Sequence, residues 1–229
     1  MEGKMILLDS YSLANRAFFA LPPLTNEEGQ PTNAVYGVTM MLMRLIDEEK
    51  PDFIIAAFDA GKPTFRHEAY EAYKAGRRPM ADELRSQIPI VRNLFETLQI
   101  PVLEFPGFEA DDLLGTLSKE ASGDGIDVYI VTGDRDAFQL VSPKVSVIYT
   151  KKGITDVEKV GPETLMERYQ LRPEQMIELK GLMGDTSDNI PGVPGFGEKT
   201  ALRLIQRFGD IPTLLENIDN LERPKEREL

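Results

Sequence analysis

Val128-Tyr129-Ile130-Val131-Thr132-Gly133-Asp134-Arg135-Asp136 is the stretch on which the fold turns. A short run of β-branched and aromatic residues reads as a buried strand, and it stops at a glycine followed by acids. The same pattern recurs along the chain. Met5-Ile6-Leu7-Leu8 is followed by Asp9, and Phe53-Ile54-Ile55-Ala56-Ala57-Phe58 by Asp59. Val102-Leu103 is a weaker run ahead of Glu109, Asp111 and Asp112, and Val145-Ser146-Val147-Ile148-Tyr149 is a further one. Helix-spaced apolar sets separate them: Val35, Val38, Leu42, Leu45 and Ile46, then Leu84, Ile88, Val91, Phe95 and Leu98, then Leu113, Leu114 and Leu117. Pro89 is expected to kink the second set or mark its true start. Strands alternating with helices predict an α/β domain with a mostly parallel sheet.

After the turn at Lys151-Lys152-Gly153 the pattern predicts helices only, with Pro162 and Pro173 at first helical positions. A Gly/Pro hairpin, Ile190-Pro191-Gly192-Val193-Pro194-Gly195-Phe196-Gly197, then runs into another helix. The expected organisation is a core over 1–160 and a helical region over 161–229 packed on it. The charged stretch from Glu222 to Leu229 stops without an end signal, as a fragment would.

The chain has 229 residues, with 26 basic and 38 acidic side chains and a formal net charge of −12. Taken whole, that charge argues against a polyanionic partner. With no cysteine, thiolate metal sites, disulfides and Cys nucleophiles are excluded, and the single histidine, His67, excludes a multi-histidine centre. No run approaches the roughly 20 apolar residues of a membrane span, and the N-terminus lacks a signal-peptide core, so a soluble cytoplasmic protein without membrane contact is expected.

The acids are placed non-randomly. Each acid-bearing strand points its acids to the C-terminal edge of a parallel sheet, where α/β folds bind ligands. Asp185 and Asp188, in Gly184-Asp185-Thr186-Ser187-Asp188-Asn189, could close over that edge from the helical region. Any single acid has a local explanation as a turn residue, helix cap or partner of a helix dipole. Four strands ending in acids do not, because like charges gathered together are costly unless a proton or a cation relieves them. Oxygen-only donors point to Mg²⁺ or Mn²⁺, and so many carboxylates suggest two ions.

In this order, Phe58-Asp59-Ala60-Gly61, Phe65-Arg66-His67-Glu68, Tyr73-Lys74-Ala75-Gly76-Arg77, Glu109-Ala110-Asp111-Asp112, Gly133-Asp134-Arg135-Asp136, Gly184-Asp185-Thr186-Ser187-Asp188-Asn189 and the Gly192–Lys199 hairpin closely resemble the 5′-nuclease (flap endonuclease) family. The branch most similar is the 5′→3′ exonuclease domain of bacterial polymerases, and the likeness covers essentially the whole chain. The resemblance implies a PIN-like core, a helical arch over about 62–85 and a helix–hairpin–helix (H3TH) element over about 184–210. It implies a structure-specific 5′→3′ exonuclease and 5′-flap endonuclease that hydrolyses DNA by two-metal catalysis in primer removal and repair. Asp9, Asp59, Glu109 and Asp111 would surround the first metal, and Asp134, Asp136 and Asp188 the second. Asp112 and Asp185 would act directly or through water. Lys74 and Arg77 would neutralise charge on the reacting phosphate, beside Asp59 and Asp134.

Five basic residues from Lys62 to Arg78 outweigh Glu68 and Glu71 by three charges, which a solvated helix would also explain. The resemblance makes this stretch the arch for single-stranded 5′ ends, with Arg16, Arg66, Lys74 and Arg77 near phosphates and Tyr73 stacking on a base. At the hairpin it implies backbone contacts from Gly192, Gly195 and Gly197, with Lys199 and Arg203, to a duplex phosphate, and a K⁺ ion on the carbonyls. The expected partners are DNA with 5′ flaps, nicks or 5′ ends, RNA primers, and a polymerase domain on the C-terminal side. A nucleoid-associated monomer is expected. Two other enzymes fit less well. A haloacid-dehalogenase-type phosphohydrolase needs an acid where Tyr11 stands, and a PIN ribonuclease lacks the arch and hairpin. A non-catalytic DNA binder would gain by losing the acids. Setting the nine site acids aside brings the formal charge from −12 to −3, so the net acidity marks a metal site without excluding nucleic acid.

Overall fold

The computed structural model describes residues 3–61, 63–221 and 227. Lys62 and most of the charged tail, 222–226 and 228–229, lie outside the described residues.

The chain runs β1 (Lys4–Asp9), α1 (Ser10–Ala20), α2 (Asn33–Glu49), β2 (Phe53–Ala57), α3 (Phe65–Ala69), α4 (Asp82–Arg85), α5 (Ile88–Thr97), β3 (Val102–Leu103), α6 (Ala110–Gly123) and β4 (Asp127–Thr132). A 3₁₀ turn at Arg135–Leu140 leads to β5 (Val145–Lys152), β6 (Asp156–Val160), α7 (Pro162–Tyr169) and α8 (Gln175–Met183). A two-stranded hairpin, β7 (Gly184–Asp185) with β8 (Ile190–Pro191), precedes α9 (Glu198–Phe208) and α10 (Ile211–Glu216). The main sheet has the order β3-β2-β1-β4-β5-β6 and is parallel except for β6.

Period-two alternation divides the core. Ile6, Leu8, Ala56, Val131 and Ile148 face α1, α2, α4 and α5, where Leu13, Leu42, Leu84 and Phe95 pack on them. Leu7, Ile130, Val145 and Val147 face the other way, onto Leu114 of α6 and a layer from α7 to α10 that includes Leu165, Leu179, Leu204 and Leu214. Each fully buried aliphatic side chain contributes about 1.5–3 kcal/mol, so both helical layers are held by the sheet. Among the described residues no helix is long and apolar enough to cross a membrane.

Three details differ from the sequence reading. The chain does not turn wholly helical after Gly153: Asp156–Val160 returns as an antiparallel edge strand. Its alternation is hidden because an edge strand is charged, with Asp156, Glu158 and Lys159 around Val157 and Val160. Pro173 sits in the turn before α8, which starts at Gln175, whereas Pro162 opens α7 and Pro89 the start of α5. Among the described residues of the expected arch, 63–85, the chain is helical only at α3 and α4, with turns from Glu71 to Gly76 between them.

Buried Gln87 locks the end of that segment to the core. Its Oε1 accepts the Ala34 and Val35 N–H groups at 2.8 and 3.2 Å, and its Nε2 donates to Asn33 Oδ1 at 3.0 Å and to the Glu83 carbonyl at 3.0 Å. It caps α2 from another element, satisfying donors that have no partner inside the helix.

Candidate active site

The parallel register brings the strand ends level. Leu8 pairs with Ala56 and with Val131, so Asp9, Asp59 and Asp134 leave one edge of the sheet. Asp9 closes β1 and is only 7% exposed. Its Oδ1 accepts the Ser12 N–H at 3.1 Å, capping α1, and its Oδ2 accepts the Thr132 hydroxyl at 2.7 Å. Asp59 follows β2 and accepts the Ala110 N–H at 2.7 Å, at the start of α6. Glu109 is the residue before α6, and Asp111 and Asp112 occupy its first turn. Asp134 caps the 3₁₀ turn through the Asp136 N–H at 2.9 Å. A Cβ at Gly133 would stand 3.0 Å from Thr150 Oγ1 and 3.1 Å from Ser12 Oγ, so a larger residue would have to push those hydroxyls back. From the helical region, Asp185 Oδ1 accepts the N–H groups of Ser187 and Asp188.

The local and collective readings of these acids therefore both hold: most serve as caps, and together they overload one cleft with negative charge. Burial pushes the Asp9 carboxyl up to about 6, with further pressure from Asp59 and Asp134. Burial, then Asp9, Asp134 and Asp59, push Asp111 up to about 8. Asp136 is raised as well, chiefly by burial.

Four cations and a phenol reach into this excess. Lys74 Nζ donates to Glu109 Oε2 at 2.9 Å. Arg66 makes two bonds of 2.8 Å to Asp112 and lies 3.8 Å from Glu109. Arg77 donates to Asp188 Oδ1 at 2.5 Å and to the Ser187 carbonyl at 3.3 Å. Lys180 of α8 stands between Asp136 and Asp185, at 2.7 and 2.5 Å. Burial alone would raise Asp112 and Asp185, but the bonds from Arg66 and Lys180 hold both below the ordinary range. The Tyr73 hydroxyl lies 2.9 Å from Glu109 Oε2 and 3.1 Å from Asp188 Oδ2. Two bonds to main-chain carbonyls clamp the same segment down, one from the Lys74 N–H to Asp188 and one from the side-chain Nδ2 of Asn189 to Ala72.

As they stand, no three Asp, Glu or His side chains among the described residues are gathered so as to hold an ion. Ammonium and guanidinium groups are interleaved with the acids instead. The donor set nevertheless suits hard divalent cations: it is all oxygen, and burial and neighbouring acids raise Asp9 and Asp111 above the ordinary carboxylate range.

One expected role fails in this arrangement. Tyr73 is 5% exposed, its ring edge-on to His67 at 5.1 Å and its hydroxyl spent on two carboxylates, so it offers no face to a base. Lys74, Arg66 and Arg77 are near the acids as expected, but bonded to them. Arg16 donates to the Thr150 carbonyl at 2.7 Å, beside Gly133. The reading from sequence missed Lys180, since a lysine near a helix end is unremarkable, and Thr132, whose hydroxyl fixes Asp9.

The hairpin lines the same cleft through Gly184, Asp185, Asp188 and Ile190. Gly184, at φ +71°, packs so tightly that a Cβ would sit 2.2 Å from Gly192 N, and one on Gly192 would sit 2.3 Å from the Met183 carbonyl carbon. Gly195 has φ +84°, and Gly197 precedes the first turn of α9. There the first N–H groups have no acceptor within the helix. Lys199 is exposed on that turn, Arg203 is half-buried one turn on, and Arg135 reaches Glu198 at 4.0 Å. A cleft of about 710 Å³ is lined by Glu198, Arg135, Asp134, Asp111, Tyr73 and Arg66.

Residues 4–170 match the family model of the 5′-3′ exonuclease N-terminal resolvase-like domain, and residues 171–229 that of the 5′-3′ exonuclease C-terminal SAM fold. The chain is 52% identical over 228 residues to a DNA polymerase I of Bacillus caldotenax, covering 100% of this chain and 26% of that protein. It thus spans about a quarter of the length of that relative. A T5 5′-exonuclease structure with bound zinc is similar at 26% identity and a TM-score of 0.77, over 98% of this chain and 83% of that one. A T5 flap endonuclease complex with DNA and metal ions is similar at 25% identity and a TM-score of 0.76, over 98% and 82%.

Proposed function

The chain belongs to the 5′-3′ exonuclease family, and from that premise we propose that it hydrolyses DNA phosphodiesters at 5′ ends and at the junctions of 5′ flaps. The observation that carries this reading is the cleft lined by Glu109, Asp111, Asp134, Asp136, Asp185 and Asp188, with the charges of Asp9 and Asp59 acting on Asp111, where the acids meet cations that can be released to a phosphate.

Two Mg²⁺ or Mn²⁺ ions fit these donors. Asp9, Asp59, Glu109 and Asp111 would hold one, and Asp134, Asp136 and Asp188 the other, with Asp112 and Asp185 directly or through water. When bound, such ions supply a water-derived nucleophile near neutral pH and stabilise the departing oxygen. The protein's own part is positioning and charge. Lys74 and Arg77, freed from Glu109 and Asp188, neutralise the phosphoryl oxygens. The N–H groups around Gly192, Gly195 and Gly197, with Lys199, Arg203 and Arg16, hold backbone phosphates and so select structure over sequence. A K⁺ ion would sit on the hairpin carbonyls.

The proposed substrates are flaps, nicks, 5′ ends and RNA primers on DNA, in primer removal and repair. A polymerase domain following the chain, a bacterial cytoplasmic, nucleoid-associated location and a monomeric state belong to the same proposal. The decisive experiment maps the cut in a 5′-labelled flap duplex with Mg²⁺ and with EDTA. Mg²⁺-dependent cleavage beside the junction is expected, and its absence would overturn the reading.

A further inference from the structure

Next to Arg66, which lines the cleft, three phenylalanines from two segments meet at the surface. Phe65 opens α3, and Phe105 and Phe108 lie in the turn between β3 and α6. Ring centroids are 5.7 Å apart for Phe65 and Phe108 and 5.6 Å apart for Phe105 and Phe108. The rings are 46%, 57% and 42% exposed for Phe65, Phe105 and Phe108, whereas Phe95 and Phe138 are fully buried. The cluster is built, since the Phe65 N–H donates to the Gly107 carbonyl at 3.1 Å and the Phe108 N–H to the Phe105 carbonyl at 3.2 Å. Contiguous apolar surface kept in water marks an interaction site.

We infer that Phe65, Phe105 and Phe108 form a stacking platform for unpaired bases of the 5′ strand, beyond the point of cleavage. The inference rests on the nuclease reading and adds a binding surface to it. Its chemistry is that of single-strand recognition, flat rings with a guanidinium among them. Arg66 lies over the Phe65 ring at 4.5 Å while its other side holds Asp112, so one cation joins the aromatic patch to the acids. Continuity favours a nucleic acid over a protein partner. Arg66 both lines the cleft and lies over Phe65, which makes the ring cluster continuous with the site. Stacking accepts every base, so the platform keeps the sequence tolerance of backbone contacts elsewhere.

The test is a binding cycle in EDTA, where no cleavage occurs, using one flap duplex with ordinary flap nucleotides and one with abasic flap nucleotides. The chain as given should bind the ordinary flap about 10-fold more tightly. Phe105→Ala/Phe108→Ala and Phe105→Leu/Phe108→Leu should both lose that preference, and both sites are exposed enough for the fold to tolerate the change. A 2-aminopurine in the flap should be quenched by the unaltered chain and not by either variant. Retention of the preference by the alanine variant overturns the inference and assigns the patch to a protein partner. Its restoration by leucine overturns stacking in favour of plain apolar contact. Failure of the unaltered chain to bind either flap duplex would overturn the nuclease reading itself, a separate outcome.

Discussion

The ammonium of Lys180 lies 2.7 Å from Asp136 Oδ1, so α8 plants a cation among the acids of the cleft, and the same nitrogen is 2.5 Å from Asp185 Oδ2. With Lys74 on Glu109 and Arg77 on Asp188, the site carries internal counter-ions that divalent metals and substrate phosphates must displace or share.

Removing one of these counter-ions should strengthen metal binding. Lys180→Gln leaves Asp136 and Asp185 one charge richer, and Mn²⁺ affinity without DNA should rise about 10-fold by electron paramagnetic resonance titration. Equal or weaker affinity would show that the lysine does not compete with the ion.

Stability should depend on pH in a sense set by the raised carboxyls. Asp9 and Asp111 titrate at about 6 and about 8 in the fold, against an ordinary value of 3.8. A raised carboxyl favours the fold below pH 3.8, and that contribution is lost as pH climbs through 6 and then 8. Asp112 and Asp185 are held low, and their contribution is lost only in acid. The metal-free melting temperature should therefore fall by roughly 3 °C or more between pH 5 and pH 8.5, and Mg²⁺ should restore it most at the alkaline end. A metal-free midpoint that climbs over that range would contradict the charge overload.

Asp134→Asn keeps an oxygen for the Asp136 N–H and removes only the charge. Flap cleavage should drop by about 10³-fold or more while affinity for the flap duplex stays within about 3-fold. Turnover near that of the unaltered chain would sink the ligand assignment.

Gly184→Ala should break the hairpin. The new Cβ would overlap Gly192 N at 2.2 Å, at a φ of +71° that alanine avoids. A loss of about 3 kcal/mol, read as a melting temperature lower by about 6–12 °C, is expected together with weakened duplex binding.

Tyr73→Phe removes the hydroxyl that Glu109 and Asp188 share. The segment between α3 and α4 should then open more often, and limited trypsin digestion after Lys74 and Arg77 should quicken about 5-fold in the absence of metal and DNA. An unchanged digestion rate would mean that the bonds to Asp188 and Asn189 hold the segment unaided.

The parallel strands were readable because burial on both faces turns them into uninterrupted apolar runs, and their acids because each stands where such a run ends. The family motifs, quoted residue by residue, then named the cleft. What stayed hidden obeys a different logic. β6 is an edge strand whose charged residues mask its alternation, and Gln87 gives no sign that its amide caps a helix 53 residues away. Lys180 could not be told from a surface lysine, because its partners Asp136 and Asp185 come together only when α8 packs beside the 3₁₀ turn. Tyr73 was read from its chemistry, an aromatic beside lysine and arginine. The fold uses its hydroxyl instead and buries the ring.

Asp9 and Asp59 do two jobs at once, capping α1 and α6 while adding charge beside Asp111. Nearly every change that silences either acid also loosens the start of a helix that packs on the sheet; asparagine alone keeps the capping oxygen and drops the charge. A deep mutational scan scored on folding alone would therefore flag both positions, with no substrate in the assay. For a lineage drifting from catalysis toward mere DNA binding, these would be the last acids to disappear, and their survival in a relative would be poor proof that it still cuts.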